Sequence, residues 1–265
     1  MALYAKGHLM PKLLILPENL TGRDFIVGDL HGMFSALKKE MRYHKFNFKK
    51  DRVLCTGDLV DRGPESLELL EYLHAPWFFS VLGNHDTKLL ARHNFEVASV
   101  SQAKAFGYLE DKEWWDNPSE KTTLINSRKH RLKEILPVVH RLPLMIFVDG
   151  KHPYAICHGQ RPSRDGKGMD PYTDAEILEN QHIVTECENE ITWGRQAYNH
   201  FRSGGGLLGS GLMRPTFVGH NIVGQVECFH PYIFVDMGAY KTGKVQLFDA
   251  AKVLQELKLK ATSFA

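Results

Sequence analysis

The chain has 265 residues, of which 43% are hydrophobic and 24% are charged, and its formal net charge at pH 7 is +2. This balance is typical of a globular protein and gives no electrostatic reason to expect a nucleic-acid partner. No apolar run approaches the roughly 20 residues of a membrane span. The amino terminus has no signal-peptide core, and the four cysteines form no C-x-x-C pair. We therefore expect a cytoplasmic protein with reduced thiols and no membrane partner.

Apolar runs rich in β-branched and aromatic residues alternate with helical patterns in the first part of the chain. After an irregular start, the sequence predicts strands over 23–27, 52–55 and 77–82, and helices over 33–43, 64–73 and 86–95. Such alternation indicates parallel strands that are joined by right-handed crossovers.

The second part of the chain begins with a predicted helical insert over about 97–136. Beyond it the sequence predicts strands over 144–148, 154–157, 215–218, 232–236 and 244–248, with a further candidate over 252–258. Five glycines in the segment 203–211 predict a flexible loop, either a lid or a disordered surface loop. We expect a single domain over 1–265 with a core at about 23–250, because polar motifs from both parts have to meet at one site.

Polar side chains that suit divalent metal ions follow most of these predicted strands directly. They are Asp29, His31, Asp58, Asn84, His158 and His220. Carboxylate, imidazole and amide groups together ligate Mn²⁺, Fe and Zn²⁺ in proteins. A site for attack on phosphorus needs about six such groups around two ions roughly 3.5 to 4 Å apart. Because open α/β sheets place their sites at the carboxyl ends of strands, the sequence predicts one centre for two divalent ions.

Five short motifs in this order resemble the signature of the calcineurin-like metallophosphoesterases. They are Gly28-Asp29-Leu30-His31-Gly32, Gly57-Asp58-Leu59-Val60-Asp61-Arg62-Gly63, Gly83-Asn84-His85-Asp86, Cys157-His158-Gly159 and Gly219-His220-Asn221. The Asp61-Arg62-Gly63 segment is typical of the phosphoprotein phosphatase branch, and the likeness to its bacteriophage-type members covers about residues 23–250. The resemblance implies the metallophosphoesterase fold, an α/β architecture in which a central β-sandwich of two mixed sheets is flanked by helices. It also implies a metal-dependent serine/threonine protein phosphatase, with phosphotyrosine as a further candidate substrate.

The resemblance implies how the two metal ions would be held. Asp29, His31 and Asp58 would ligate one ion, whereas Asp58, Asn84, His158 and His220 would ligate the other, so that Asp58 bridges them. Family likeness favours Mn²⁺ in assays, with Fe or Zn²⁺ as alternatives. The ions would activate a water for direct in-line attack on phosphorus, without a phosphoenzyme.

The same resemblance assigns the groups that would handle the substrate. Arg62, Arg195 and Asn84 would hold the phosphate oxygens, because a guanidinium fork matches two oxygens at once. His85 would protonate the departing alkoxide, and Asp61 would accept the other ring hydrogen and fix the tautomer. The implied substrate is a phosphorylated protein or a small phosphoester.

Several departures from the phosphoprotein phosphatase pattern keep other functions open. Asp86 stands where Glu is usual, an ending shared with the symmetrical dinucleoside tetraphosphatases, and Gly159 and Asn221 replace the common Ala and Thr. The second hypothesis is therefore hydrolysis of dinucleoside tetraphosphates or other small phosphoanhydrides, although those enzymes usually have Ala where this chain has Asp61. A third hypothesis, a non-catalytic interaction module, is disfavoured because such modules tend to lose the ligands or the catalytic histidine, and all are present here.

Overall fold

The computed structural model describes residues 12–93, 95, 122–208 and 213–262. Short strands in this part of the chain form two sheets. They are β1 (Leu13–Leu16), β2 (Asp24–Val27), β3 (Arg52–Cys55), β4 (Phe78–Ser80), β5 (Met145–Val148), β6 (Tyr154–Cys157), β7 (Thr216–Val218), β8 (Glu227–Phe229), β9 (Tyr232–Phe234) and β10 (Phe248–Asp249).

The two sheets are both mixed, as the sequence analysis predicts. One has six strands in the order β1-β5-β6-β7-β9-β8, and the other has four in the order β10-β2-β3-β4. Within the smaller sheet β2, β3 and β4 are parallel, and β10 is antiparallel to β2. Within the larger sheet β6, β7 and β9 are parallel, whereas β5 and β8 are antiparallel to their neighbours β6 and β9.

Side chains from facing sides of the two sheets make a buried layer between them. Ile26 and Leu54 of the smaller sheet share this layer with Ile156 and Phe217 of the larger one, and all four are fully buried. Because successive residues of a strand point to opposite faces, the alternate side chains enter a second core beneath the helices. The sequence produces this sandwich because its strands are apolar on both faces.

Helices flank the two sheets. They are α1 (Phe34–Tyr43), α2 (Ser66–Leu70), α3 (Asn84–Arg92), α4 (Thr122–His140), α5 (Asp174–Glu179), α6 (His182–Glu186), α7 (Glu188–Trp193), α8 (Gln196–Arg202), α9 (Ala239–Thr242) and α10 (Ala250–Thr262). The predicted helix over 64–73 divides into α2 and a 3-10 turn at Glu71–His74. None of the helices in the described ranges is both long enough and apolar enough to cross a bilayer.

Two predictions for the ends of the chain are wrong. The start is not irregular throughout, because β1 pairs in parallel with β5 in a register that places Leu13 opposite Met145. The candidate strand over 252–258 is helical and belongs to α10. Val253, Leu254 and Leu257 have helical spacing and pack against the layer between the sheets, so packing selects the helix. The strand predicted over 244–248 is reduced to β10.

The two segments that the sequence leaves least defined lie partly outside the described residues. Of the insert over 97–136, the residues up to 121 lie outside, and α4 confirms the helical prediction from residue 122 onward. Leu132 and Ile135 of α4 are buried in the core beneath the helices. Of the glycine-rich segment 203–211, residues 209–211 lie outside the described part.

Candidate metal centre

The predicted ligands meet at one edge of the sandwich, where the parallel strands of both sheets end. The loops after β2, β3 and β4 carry Asp29 with His31, Asp58, and Asn84 in turn, and the loops after β6 and β7 carry His158 and His220. A parallel set of strands brings its carboxyl ends to the same side, so two such sets in facing sheets bring all of these loops together.

The backbone of these loops is unusual. Among the described residues, six that are not glycine have a positive φ, and five of them lie in the motifs: His31 at 41°, Asp58 at 50°, Asp61 at 70°, Arg62 at 68° and His220 at 61°. In this left-handed region the Cβ atom crowds the backbone. The first two motifs support each other there, since the His31 amide donates to the Asp58 carbonyl at 2.7 Å.

Two glycines allow the acidic side chains to approach the backbone closely. A Cβ atom on Gly83 would lie 2.3 Å from Asp58 Oδ1, and one on Gly219 would lie 2.1 Å from Asp29 Oδ1. Neither distance is possible for a real side chain. Glycine at these positions therefore makes room for the carboxylates of the site.

One group of converging acceptor atoms surrounds His158. Its Nδ1 donates to the Thr56 carbonyl at 2.8 Å, which leaves the Nε2 lone pair facing into the site. That Nε2 lies 3.0 Å from Asn84 Oδ1, 3.1 Å from His220 Nδ1 and 3.5 Å from Asp58 Oδ1. Asp58, His158 and His220 are thus placed so that they could hold a divalent cation, and Asn84 Oδ1 lies beside them.

A second group lies on the other side of Asp58. His31 Nδ1 donates to the Val60 carbonyl at 2.9 Å, so that its Nε2 lone pair faces Asp58 Oδ2 at 3.6 Å. His85 belongs to this group of possible ligands as well. The two oxygens of Asp58 therefore face two different histidines, the arrangement that a bridging carboxylate requires.

Burial disfavours the charged form of three histidines of the centre. Burial lowers the pKa of His31 to about 4 and also lowers the pKa of His158 and of His220. Only neutral imidazole can ligate a metal, so these rings are ready to bind at neutral pH. Burial acts to raise the pKa of Asp58, but the surrounding histidines outweigh this effect and hold it well below its usual range.

Asp29 and Asp236 are two buried carboxyl groups that interact with each other. Both oxygens of Asp29 accept from the His220 amide at 3.1 Å, and Thr56 Oγ1 donates to one of them at 3.3 Å. Burial, together with nearby Asp236 and Asp58, raises the pKa of Asp29 well above its usual value. Burial likewise raises the pKa of Asp236 to about 6. Burial thus disfavours the negative charge of these carboxyl groups, and bound cations would offset that effect.

His85 and Asp61 contact each other beside the centre, on the side of Asp58. His85 Nδ1 lies 2.6 Å from Asp61 Oδ2, and the two side chains are buried. The Arg62 guanidinium donates to His85 Nε2 at 3.1 Å and to His31 Nε2 at 2.9 Å. It also lies 4.3 Å from the centre of the Tyr240 ring, which holds its plane by a cation–π contact.

The site opens into a cavity of about 690 Å³. Arg62, Asn84, His85, Arg195 and His220 all line it. Arg195 is anchored at its rim, since its Nη1 donates to Asn221 Oδ1 at 2.7 Å and to the His220 carbonyl at 3.1 Å.

Asp86 does not line this cavity. It is fully buried, and its two oxygens accept from the amides of Leu59 and Gly83, each at 2.9 Å. Its carboxyl group thus holds the second and third motifs together. A change between Asp and Glu at this position would therefore affect the loops, because this side chain does not reach the cavity.

Comparison with models of known families matches residues 25–221 to the calcineurin-like phosphoesterases. The chain belongs to this family. The family is hydrolytic and depends on a dinuclear metal centre, and the two groups of histidine and aspartate described above are this chain's candidates for holding the ions.

Two curated relatives and a solved structure illustrate the family's range. Serine/threonine-protein phosphatase 2 of Salmonella typhimurium is 30% identical over 84% of this chain and 91% of its own length. The symmetrical bis(5'-nucleosyl)-tetraphosphatase of Methylococcus capsulatus is 45% identical, but over only 25% of either chain. A protein serine/threonine phosphatase from Saccharomyces cerevisiae shares the fold with a TM-score of 0.50 and 19% identity, covering 86% of this chain and 71% of that one.

The structure brings together every site residue that the sequence analysis singles out. The sequence analysis assigns no role to two further residues near the site, Asp236 and Tyr240. Asp236 lies two residues after β9, as Asp29 does after β2, but the strand predicted over 232–236 includes it and so hid this signal. Tyr240 contacts Arg62 and also His31, with ring centroids 5.1 Å apart, and no feature of the sequence points to it.

Proposed function

We propose that the protein is a serine/threonine protein phosphatase that uses two divalent metal ions, with Mn²⁺ as the expected activating ion. The observation that carries this proposal is the contact between His85 and Asp61. A serine alkoxide is a strong base and needs a proton as it departs, whereas a nucleotide phosphate is a weak base and does not. A histidine oriented by a buried carboxylate therefore serves phosphomonoester hydrolysis better than cleavage of a phosphoanhydride.

The family resemblance assigns the residues that would hold the ions. Asp29, His31 and Asp58 would hold one ion, and Asp58, Asn84, His158 and His220 would hold the other. Two groups of possible ligands support this assignment, since one contains His31 and Asp58 and the other contains Asp58, His158 and His220. When bound, the ions supply positive charge for the phosphate and an activated water for in-line attack. Hydrogen bonds to Val60 and Thr56 support the proposal, because they fix the His31 and His158 rings with Nε2 facing inward.

Arg62, Asn84 and Arg195 would position the phosphate. Arg62 would lose both of its histidine acceptors, because a metal ion would take the His31 Nε2 lone pair and His85 Nε2 would carry a proton. The guanidinium would then be free to turn towards the phosphate oxygens. The cation–π contact with the Tyr240 ring would restrain the guanidinium plane while the group turns. Arg195 lines the same cavity and is held beside Asn221 by a hydrogen bond. The guanidinium groups of Arg62 and Arg195 could therefore both bind oxygens of the transferred phosphoryl group.

His85 would deliver the proton. Its Nε2–H donates to the bridging ester oxygen as the bond from that oxygen to phosphorus breaks, and the serine leaves as an alcohol. Asp61 accepts the Nδ1 hydrogen and stabilises the ring while it is positively charged. The proton that His85 gives up is replaced from solvent through the open cavity.

We also propose that the protein is cytoplasmic and that its substrate is a phosphorylated protein. The four cysteines are free thiols, two of them buried in β3 and β6, which agrees with a reducing compartment. The similarity to a bacterial serine/threonine-protein phosphatase over 84% of this chain supports a phosphoprotein as the partner.

The decisive experiment compares substrates in the presence of Mn²⁺. A phosphoserine peptide, nitrophenyl phosphate and diadenosine tetraphosphate would be assayed side by side for kcat/KM. We expect hydrolysis of both monoesters and little hydrolysis of the tetraphosphate. A higher kcat/KM on the tetraphosphate than on the phosphopeptide would overturn the proposal in favour of the tetraphosphatase, which the partial match over 25% of the chain represents.

A further inference from the structure

A second cavity, of about 350 Å³, lies along α1 on the surface of the protein. Its floor is apolar: Met41 and Phe46 are buried, and Tyr72 is half-buried. Phe48 forms a wall and is 57% exposed. Its ring centroid lies 5.2 Å from that of Phe46 and 5.2 Å from that of Trp77, in edge-to-face contacts that hold the exposed ring in position. We call this cavity the α1 groove.

Three cations, Lys38, Arg42 and Lys45, line the α1 groove. Their spacing of four and then three residues places the first two on one face of α1 and the third just past its end. Over the described ranges, no carboxylate lies within 4.0 Å of any of these cations, whereas Arg23 pairs with Asp51 at 2.6 Å. The groove therefore combines an apolar floor with positive charge that none of the described carboxylates pairs with.

We propose that the α1 groove docks an acidic, extended segment of a protein substrate that carries an apolar anchor residue. This inference rests on the proposed phosphatase function, because it concerns how that function selects its substrate. The anchor would fill the apolar floor against Phe48, and carboxylates on either side would pair with the cations. Proteins commonly recognise peptides through such a combination of an apolar pocket and flanking charges.

The spacing of the cations favours an extended chain over a nucleotide. Lys38 and Arg42 are four residues apart on a helix, a rise of about 6 Å. Alternate residues of an extended chain are about 6.6 Å apart, so two acidic side chains on one face of a peptide match the two cations. Phosphates of a single nucleotide would instead need donors that converge on one point.

The position of the groove suits delivery of a phosphorylated residue to the metal centre. α1 begins at Phe34, three residues after His31, and Lys38 Nζ lies 4.4 Å from the centre of the Phe34 ring. The ten residues of α1 span about 15 Å. A linker of roughly ten residues can therefore join a docked segment to a phosphoserine in the site, and docking then raises the local concentration of the phosphoserine.

The first test is direct binding of a fluorescent peptide in which glutamates alternate around a central Leu-Phe pair. The double variant Lys38→Glu/Arg42→Glu should weaken its Kd at least about tenfold, and Phe48→Ser should weaken it as well. The matched control, Lys49→Glu/Lys50→Glu, makes the same charge change at exposed residues outside the groove lining and should bind as the wild type does. Equal binding by both double variants would overturn the proposal. So would groove-dependent binding of an RNA homopolymer without binding of the peptide.

The second test separates docking from catalysis. A phosphoserine peptide that carries the acidic segment on a flexible linker should have a KM about tenfold lower than the same peptide without the segment, with kcat unchanged. Lys38→Glu/Arg42→Glu should abolish that difference and leave nitrophenyl phosphate hydrolysis unaltered. If the peptide binds but no phosphopeptide is hydrolysed, the phosphatase proposal fails while docking stands. If both phosphopeptides have the same KM, docking fails while the phosphatase proposal stands.

Discussion

His85 Nδ1 lies 2.6 Å from Asp61 Oδ2, and both side chains are buried. This contact fixes the hydrogen on Nδ1 and leaves Nε2 as the atom that faces the cavity. It joins residues from the second and third motifs, 24 positions apart in the chain.

Replacement of His85 by Asn should reveal its role through the basicity of the leaving group. We expect kcat to fall about 10² to 10⁴-fold on a phosphoserine peptide, within the range for general acid catalysis, and distinctly less on nitrophenyl phosphate. Asp61→Asn should show the same trend in weaker form, about 10- to 100-fold, because only the orienting partner is lost. Equal losses on both substrates, with metal content unchanged, would contradict the acid role.

Replacement of Arg62 by Ala should impair phosphate binding and turnover without releasing metal. The loss of one charge-assisted contact predicts a fall in kcat/KM of about 10- to 100-fold. Tyr240→Leu removes the ring that holds the guanidinium and should reproduce part of this loss, whereas Tyr240→Phe keeps the ring and should have little effect. Metal analysis of each purified variant is the control, and loss of metal from Arg62→Ala would show that Arg62 is structural.

Activity should vanish on chelation and return with Mn²⁺, because the water nucleophile depends on the ions. Among ligand substitutions, Asp58→Asn should have the largest effect, since its two oxygens face His158 and His31 on opposite sides. Metal content and kcat of this variant would be measured beside those of Asn84→Ala. Wild-type metal content and rate in Asp58→Asn would rule out the bridge.

The metal-free protein should gain stability when Asp236 is replaced by Asn. Burial raises the pKa of Asp236 to about 6, above the value near 3.9 of an unfolded chain. The folded state therefore holds this proton more tightly, and the resulting stability is fully present below about pH 4 and lost as the pH rises through 6. At pH 7.5 the free energy of unfolding of the variant should therefore be higher than that of the wild type.

Urea unfolding in the presence of a chelator would measure this difference at pH 4 and at pH 7.5. The gain should disappear at the lower pH, where the wild-type carboxyl group is protonated as well. It should also shrink when both proteins are loaded with metal, because the carboxylate then lies near cations. If the gain in stability had the same size at both pH values, its cause would be packing and not the titration of Asp236.

The strands that carry the site were predictable because two signals coincide in them. An apolar run before Asp29, Asp58 or His158 predicts a buried strand, and the glycine and polar residue after it predict where the strand ends. The two ends of the chain lacked that second signal. β1 is only four residues long and owes its form to pairing with β5 some 130 positions away, which no local pattern encodes.

The residues that converge on the site were predictable from the sequence, but the contacts between the loops were not. The sequence shows that Asp86 differs from the usual Glu, but only the fold shows that its oxygens accept from Leu59 and Gly83. Tyr240 reaches Arg62 from a segment 178 positions away, and its ring has no motif of its own. Such contacts depend on the relative placement of two sheets, so they become visible only in three dimensions.

The left-handed backbone at Asp61 sets a limit on how far this protein could be stabilised by mutation. Strain of this kind costs on the order of 1 to 2 kcal/mol at a residue with a side chain, and glycine relieves it. Glycine at position 61 would therefore favour the loop while removing the carboxylate that orients His85. The same conflict holds at His31, Asp58, Arg62 and His220, so the most relaxed versions of these loops would be inactive enzymes.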